Sequence, residues 1–224
     1  MNLNAGKTET MLFGTAVRLS KQNRDLEVLY NERKLKATKT YKYLGVEIDT
    51  SLNLNNHFRL TYKKCSSRLR LLSKLRPLLT TKAASIIYHS MILPVLTYCC
   101  LLMLKNTATQ KLRYLSIDNR ATNIINDVNT RIMKIENYKR RHACNFVKNC
   151  LENESCENFN NYFSLIDHGK NTRNNKNTIK LPKVRTEFAK KSSFFMAAKM
   201  YNELPMHVRN DKNSFTSSLN KHFS

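Results

Sequence analysis

An uncharged run of 22 residues, at positions 83–104, constrains the fold of this chain more than any other feature. The run contains no Asp, Glu, Lys or Arg and is long enough to cross a bilayer as a helix. His89, Pro94 and several hydroxyl side chains within it, with basic sequence on both sides, favour a helix that is buried in a protein core and kinked near Pro94. We therefore expect a buried helix, with Tyr88, Met91 and Tyr98 in the core, and a membrane span is the alternative.

The segment before this run has the pattern of an amphipathic helix. Apolar residues recur at intervals of four, three, four and three residues, which places them on one side of a helix, and they are Phe58, Tyr62, Cys65, Leu69 and Leu72. Basic residues form a second row about 130° away around the helix, and we call Arg59, Lys63, Arg70 and Lys74 the cation stripe. We expect Pro77 to end or kink this helix, Thr80 or Thr81 to cap the next one, and the apolar row to pack on residues 83–104.

Residues 1–50 have the patterns of short strands. We predict a strand at residues 10–15, two strands around a turn at Asn31 and Glu32, and another strand at residues 41–48. Gly45 interrupts this last strand, and a glycine inside a strand usually marks a bulge or the close approach of another backbone or ligand.

The rest of the chain is predicted to be mostly helical, with helices near residues 110–126, 131–151 and 190–204 and after Ser214, and a polar loop at 168–178. The fold class is therefore α+β and mostly α, with short N-terminal antiparallel strands followed by helices. We divide the chain into residues 1–50, 51–105 and 106–224.

The charge distribution favours a polyanionic partner. The net charge is +23, and residues 51–105 carry nine basic residues and no acidic one. The acid-free stretch extends over residues 50–117, which favours contact with nucleic acid. Six cysteines without a CxxC pair, and a start that lacks an apolar signal sequence, favour reduced thiols inside the cell, in cytoplasm or nucleus.

No catalytic or metal site is evident from the residues alone. His142, Cys144, Cys150 and Cys156 are potential zinc ligands, but their spacing matches no standard zinc arrangement. The acidic residues before Thr50 do not form the close pair that two-metal phosphoryl or nucleotidyl transfer requires. We therefore predict no catalytic residue, no metal ligand and no cofactor in this chain.

Four motifs in order carry a resemblance to a known family. "LNAGKTETMLFGT", "YKYLGVEID", the basic helix with "IYHSMILPVLTY", and the tail "LPKVRTEFAKKSSFFMAAKMYNELP" are similar to the end of the palm, the thumb and the last segment of reverse transcriptases from non-LTR retrotransposons, especially jockey-like elements. The position of Tyr201 is commonly Trp in that family.

The resemblance implies a function and a set of site residues. Residues 1–50 would be a palm remnant and residues 51–105 a thumb-like segment. Lys7 and Thr8 would lie near the phosphates of the incoming nucleotide, and Tyr43, Leu44 and Gly45 would form the hairpin that grips the primer terminus, with the primer backbone close to Gly45. The cation stripe would contact the duplex backbone of RNA, DNA or a hybrid. The family's metal-binding aspartates, which hold Mg²⁺, would precede Met1, so the chain resembles a truncated RNA-directed DNA polymerase that is inactive alone.

A second class of function is compatible with the same residues. The chain could be a helical nucleic-acid-binding or scaffold protein with no polymerase role, with membrane attachment through residues 83–104 as a variant. The sequence leaves the oligomeric state open.

Overall fold

The computed structural model describes residues 4–21, 27–104, 106–125, 132–152, 159, 161–166, 178–211 and 214–223. It divides the chain into two compact units, Met1–Lys63 and Lys64–Ser224. The division falls inside one long helix, Asn55–Leu75. The fold class is confirmed: the described chain is mostly helical, with short strands near its N-terminus.

The strands of the first unit are short and pair two by two. They are β1 Glu9–Thr10, β2 Leu29–Tyr30, β3 Arg33–Lys34, β4 Lys36–Ala37, β5 Thr40–Tyr43 and β6 Val46–Asp49. The pairs β2–β3 and β5–β6 are antiparallel, whereas β1 and β4 are parallel. The predicted turn at Asn31 and Glu32 is confirmed, because it joins β2 to β3 with both residues at positive φ.

The strand predicted at residues 10–15 is largely wrong. Only Thr10 of this stretch belongs to a strand, β1, and the helix α1, Ala16–Ser20, follows soon after. Thr15 ends the extended segment because its hydroxyl accepts a hydrogen bond from Arg18 N at 3.3 Å and caps α1.

Residues 41–48 form a hairpin, so the prediction of one continuous strand is wrong. Tyr43 pairs with Val46, which leaves a two-residue loop of Leu44 and Gly45. Their φ angles are 45° and 83°, the combination that a type I′ turn requires. Glycine adopts such angles without a steric penalty, and this is the structural reason for Gly45 at this position.

The helices after β6 are, in chain order, α2 Asn55–Leu75, α3 Thr81–Ile87, α4 Leu93–Thr97, α5 Ala108–Ile125, α6 Ile135–Leu151, α7 Glu187–Lys190, α8 Ser193–Asn202, α9 Met206–Arg209 and α10 Phe215–Phe223. Asn53 precedes α2 and stabilises its N-terminus, because its side-chain oxygen accepts a hydrogen bond from Asn55 N at 2.8 Å. As predicted, α2 ends before Pro77, and Thr80 caps α3 by accepting from Ala83 N at 3.2 Å. The polar loop predicted at 168–178 lies outside the described residues except for Thr178.

The uncharged run is a bent helical segment of the second unit. Between α3 and α4, residues Tyr88–Ile92 form a π-helical turn, which accommodates Pro94 because proline cannot donate to the preceding turn. Buried positions recur every four residues, at 84, 88, 92, 96, 100 and 104. The predicted burial is confirmed, the helix is irregular just before Pro94 and ends at Thr97, and no helix in the described part of the chain is long and apolar enough to cross a membrane.

Two residues predicted in this core are on the surface. Tyr88 is fully buried, but Met91 and Tyr98 are about half exposed, at 52% and 49%. The α-helical period of the prediction does not hold, because the π turn shifts Met91 outward. Tyr98 follows the end of α4, where Cys99 adopts a left-handed conformation with φ of 50°.

The C-terminal half of α2 packs against this bent segment, as predicted. Cys65 Sγ lies 3.9 Å from the carbonyl oxygen of Ile92, and the Arg68 guanidinium donates to the carbonyl oxygen of Met91. Cys65 and Leu69 have no exposed surface. The part of the apolar row that belongs to the second unit, Cys65, Leu69 and Leu72, is thus buried.

The largest core cluster of the second unit joins α6, α8 and α10. Cys144 and Val147 of α6, Tyr201 of α8 and Leu219 of α10 are buried in it. The Tyr201 ring lies 6.1 Å from that of Phe215, centroid to centroid. The C-terminal helices are thus an integral part of the fold of this unit.

Asp118 on α5 and Lys139 on α6 are buried charged side chains. Asp118 accepts hydrogen bonds from Ile135 N on both carboxylate oxygens, at 3.3 and 3.2 Å, and so caps the start of α6. Burial raises the pKa of Asp118 to about 6.

Lys139 is the more deeply buried of the two, at 1% exposure. Its Nζ donates to the Met103 carbonyl oxygen at 3.3 Å and to Asn106 Oδ1 at 3.2 Å. It also lies 3.8 Å from the centroid of the Tyr114 ring. Burial nevertheless lowers the pKa of Lys139 to about 8, because the hydrogen bonds do not fully replace its hydration.

Candidate nucleic-acid interface

Helix α2 separates its apolar and basic residues onto different faces. Of the predicted apolar row, Phe58, Cys65, Leu69 and Leu72 are buried and Tyr62 is half-buried. All four residues of the cation stripe are exposed. The helix periodicity read from the sequence is therefore confirmed, and the row of cations faces solvent.

Two other arginines near the stripe make hydrogen bonds that stabilise the fold. Arg68 holds the bent segment through the Met91 carbonyl group. Arg76 donates to the carbonyl oxygens of Ile124 and Leu79, each at 2.8 Å, and to Thr81 Oγ1 at 3.0 Å. These guanidinium groups are committed to the fold and are poor candidates for ligand binding.

The cation stripe is not neutralised by neighbouring acids. In the part of the chain that the structure describes, none of the ion pairs involves a basic residue of α2. The cause is in the sequence, since no acidic residue occurs between positions 50 and 117. Arg59 and Lys63 belong to the first unit, and Arg70 and Lys74 to the second. Within each pair, the two residues lie about one helical turn apart, which is about 6 Å along the helix axis.

Arg120 of α5 adds a cation that the sequence analysis missed. Its guanidinium donates to Ser66 Oγ and to the Ser66 carbonyl oxygen, both at 3.3 Å. Ser66 lies one turn before Arg70 on α2, so this guanidinium is held close to the stripe. Like Arg68 and Arg76, Arg120 is held by the fold, and its contribution is a positive charge near the second-unit part of the stripe. No sequence signal pointed to it, because 54 residues separate Arg120 from Ser66.

The hairpin residues named by the resemblance lie together at the tip of β5 and β6. Tyr43, Leu44 and Gly45 are all exposed, with Leu44 at 74%. Tyr41 and Tyr43 are two residues apart on β5 and therefore lie on the same face of the strand. Both are about half exposed, at 46% and 58%. The tip thus presents a backbone turn without a side chain at Gly45 beside an aromatic ring, a shape that allows close approach of a ligand.

Lys7 and Thr8 lie in another segment of the first unit. Lys7 closes a short 3₁₀ turn, Ala5–Lys7, and its side chain is exposed. Thr8 is half-buried, and its hydroxyl donates to the Asn4 carbonyl oxygen at 2.9 Å. The Thr8 hydroxyl is therefore engaged within the chain, and the nucleotide-proximal role of both residues stays a prediction.

The potential zinc ligands on α6 do not converge. His142 is exposed, whereas Cys144 and Cys150 point into the core, and Cys156 lies outside the described residues. Burial raises the pKa of Cys144 to about 12, which disfavours the thiolate that binds metals. Among the described residues, no three His, Cys, Asp or Glu side chains come together in a way that could hold a metal ion.

Comparisons with known proteins identify no relative. No protein-family model matches the chain, and neither the curated proteins nor the solved structures contain a significant match to it.

Proposed function

We propose that this chain binds the phosphate backbone of duplex nucleic acid through the exposed cation stripe of α2. The observation that carries the proposal is the combination of two faces on one helix: a buried apolar row, and a row of exposed cations with no acidic neighbour in sequence. A surface of this kind attracts any polyanion, and phosphate contacts release condensed counterions from nucleic acid.

The residues of the cation stripe are better placed to contact the phosphate backbone of nucleic acid than the edges of its bases. The stripe consists of two arginines and two lysines spaced along the side of a long helix, which suits a line of phosphates. Base recognition generally uses Asn, Gln or Arg side chains grouped near the N-terminus of a helix that enters the major groove. The cations of α2 are spread over its whole length, so we propose binding to RNA, DNA and hybrid duplexes without sequence preference.

A finer proposal rests on the resemblance to non-LTR retrotransposon reverse transcriptases. The order of the motifs, and an exposed hairpin tip at Tyr43, Leu44 and Gly45, support an origin as the C-terminal part of an RNA-directed DNA polymerase that acts inside the cell. Polymerase activity of the chain alone is not part of the proposal, because its acidic residues before Thr50 do not form the close pair that two-metal nucleotidyl transfer requires.

A nucleic-acid-binding or scaffold protein with no polymerase origin is the second candidate. It requires no catalytic carboxylates, and two acidic residues of the first unit are engaged in local contacts. Glu9 pairs with Lys36 at 2.7 Å, and the Asp49 carboxylate accepts from Ser51 Oγ at 2.6 Å. Genomic sequence in frame before Met1 discriminates between the candidates: a motif with paired aspartates supports the polymerase origin, and its absence supports the second candidate.

Two double variants test the role of α2 in each unit. We expect Arg59→Gln/Lys63→Gln and Arg70→Gln/Lys74→Gln each to bind a short duplex more weakly than the unchanged chain. Since each phosphate contact contributes about 0.9 to the slope of log affinity against log salt concentration, each double variant should reduce the magnitude of this slope by up to about 1.8. Filter binding over a salt series measures both quantities.

The matched control is Lys111→Gln/Lys199→Gln, which removes the same charge from exposed lysines on α5 and α8. We expect its slope to remain near that of the unchanged chain. Equal slopes for the control and both α2 variants would show that the net charge attracts nucleic acid diffusely and that α2 has no special role.

A further inference from the structure

A cluster of five aromatic rings lies in the second unit, away from the cation stripe in sequence. Its members are Phe146 of α6, Phe194 of α8, and three residues between these helices, Phe159, Tyr162 and Phe163. The rings of Phe146, Phe159 and Phe163 lie 5.6–6.2 Å from their neighbours, centroid to centroid. Phe163 is buried, so the cluster is anchored in the core.

Tyr162 is the member of this cluster that faces solvent. Its ring stacks on the Phe194 ring with a centroid distance of 4.2 Å and an interplanar angle of 8°. Even so, Tyr162 is 57% exposed. Phe194 covers one face of the ring and fixes its orientation, and the exposed area therefore includes the opposite face. An oriented aromatic ring with an open face is a platform on which a nucleobase can stack.

A basic segment runs beside this ring. Residues 164–166 pair in antiparallel fashion with residues 178–180, since Lys180 N donates to the Ser164 carbonyl oxygen and Ile166 N to the Thr178 carbonyl oxygen, both at 2.8 Å. Lys180 thus lies opposite Ser164, two residues from Tyr162, which is about 7 Å in an extended chain.

The same segment is held firmly in place. Ile179 is buried, and its backbone N–H and carbonyl group are both bonded by the Asn202 side chain of α8, each at 2.9 Å. Beyond it, the exposed residues Lys180, Lys183 and Arg185 follow one another without an intervening acid. The first acid after them, Glu187, pairs with Lys190 at 2.7 Å.

We propose that Tyr162, Lys180 and Lys183 form a second binding site, which takes unpaired nucleotides of single-stranded RNA or DNA. A base would stack on the open face of Tyr162, and the lysines would contact the adjoining phosphates. A ring with a fixed orientation can stack on a flat, rigid ligand. The neighbouring lysines favour a ligand that carries a negative charge on each repeating unit. Single-stranded nucleic acid has both properties. The site uses no residue of α2 and does not depend on the duplex-binding proposal.

The test compares a short oligothymidylate with an abasic oligonucleotide of the same length, which retains the phosphates but lacks bases. We expect the unchanged chain to bind the oligothymidylate more tightly. Tyr162→Leu, which keeps apolar volume over Phe194, should lower affinity for the oligothymidylate about 10-fold and leave affinity for the abasic strand unchanged. Tyr162→Phe should retain the affinity of the unchanged chain, because it retains the ring.

The lysines are tested separately by Lys180→Gln/Lys183→Gln. This variant should bind both oligonucleotides more weakly and with a smaller salt slope, and it should bind duplex as the unchanged chain does. The proposal is overturned if the unchanged chain binds both strands equally, or if Tyr162→Leu weakens both to the same extent. Either result would show that the surface binds phosphates without stacking a base on Tyr162. If the α2 variants bind duplex more weakly but still prefer oligothymidylate to the abasic strand, the two sites act independently.

Discussion

Replacing Leu69 with alanine is expected to lower the free energy of unfolding by about 2–5 kcal/mol. Leu69 has no exposed surface and lies near the middle of the apolar row of α2. Truncation removes buried methyl groups and leaves a cavity, because Cys65 and Ile92 are held nearby in packed helical segments. Urea unfolding followed by circular dichroism measures the change.

Leu71→Ala is the matched control for this prediction. Leu71 is on the same helix and undergoes the same chemical change, but it is 57% exposed. We expect its effect on the free energy of unfolding to be within about 0.5 kcal/mol. If the two substitutions had equal effects, α2 would not bury the face that the structure assigns to its core.

We compare the free energy of unfolding of the unchanged chain with that of a Lys139→Met variant. As pH rises from about 7 to 10.5, we expect the value for the unchanged chain to increase by about 3 kcal/mol relative to the value for the variant. The folded pKa of Lys139 is lowered by burial from 10.5 to about 8. Between these two values the unfolded chain holds a proton that the folded chain does not, so stability increases with pH. The cost of the buried charge is fully present below pH 8 and is relieved as pH rises toward the unfolded pKa.

Denaturant unfolding at several pH values, on both proteins, measures this difference. The comparison is needed because burial also raises the pKa values of Cys65 and Cys144. Those thiols make the fold less stable at high pH, but they do so equally in both proteins and cancel. Lys111→Met, at an exposed position, should show no relative change with pH. A difference between wild type and Lys139→Met that stays constant with pH would show that Lys139 is charged in the fold throughout this range.

The helical part of the fold was predictable because burial repeats along it at the helical period. The intervals between Phe58 and Leu72 located α2 and its buried face correctly, and Thr80 and Pro77 marked the boundary that follows. The bent segment was predictable only in outline. Pro94 marks an irregularity but not its form: the π turn shifts the register after Tyr88, and α4 ends before Tyr98, so α-helical spacing does not place Met91 and Tyr98 in the core.

The hairpin shows a different limit. Apolar and polar residues alternate along both β5 and β6, so the two strands together have the pattern of one strand. The turn is made by Leu44 and Gly45, and leucine seldom adopts a positive φ, unlike the Asn or Asp that usually precedes glycine in such a turn. Gly45 was recognised as unusual from the sequence, but its conformation depended on pairing between Tyr43 and Val46.

The candidate interface was predictable to the extent that it lies on one helix. The cation stripe is local in sequence, and its exposure follows from the position of the apolar row. Arg120 reaches Ser66 from another helix, and Arg68 and Arg76 are used by the fold, so only the tertiary structure distinguishes these guanidinium groups from the stripe. The Tyr162 site was missed for the same reason, because its ring, its supporting ring and its lysines come from separate segments.

The proposal that α2 binds the nucleic-acid backbone is tested most directly by lysine acetylation with and without a bound duplex, read residue by residue by mass spectrometry. We expect duplex to slow acetylation of Lys63 and Lys74, the lysines of the stripe, and to leave acetylation of the exposed Lys111 and Lys199 unchanged. Equal protection of all four lysines, or protection of Lys111 and Lys199 alone, would contradict the proposal.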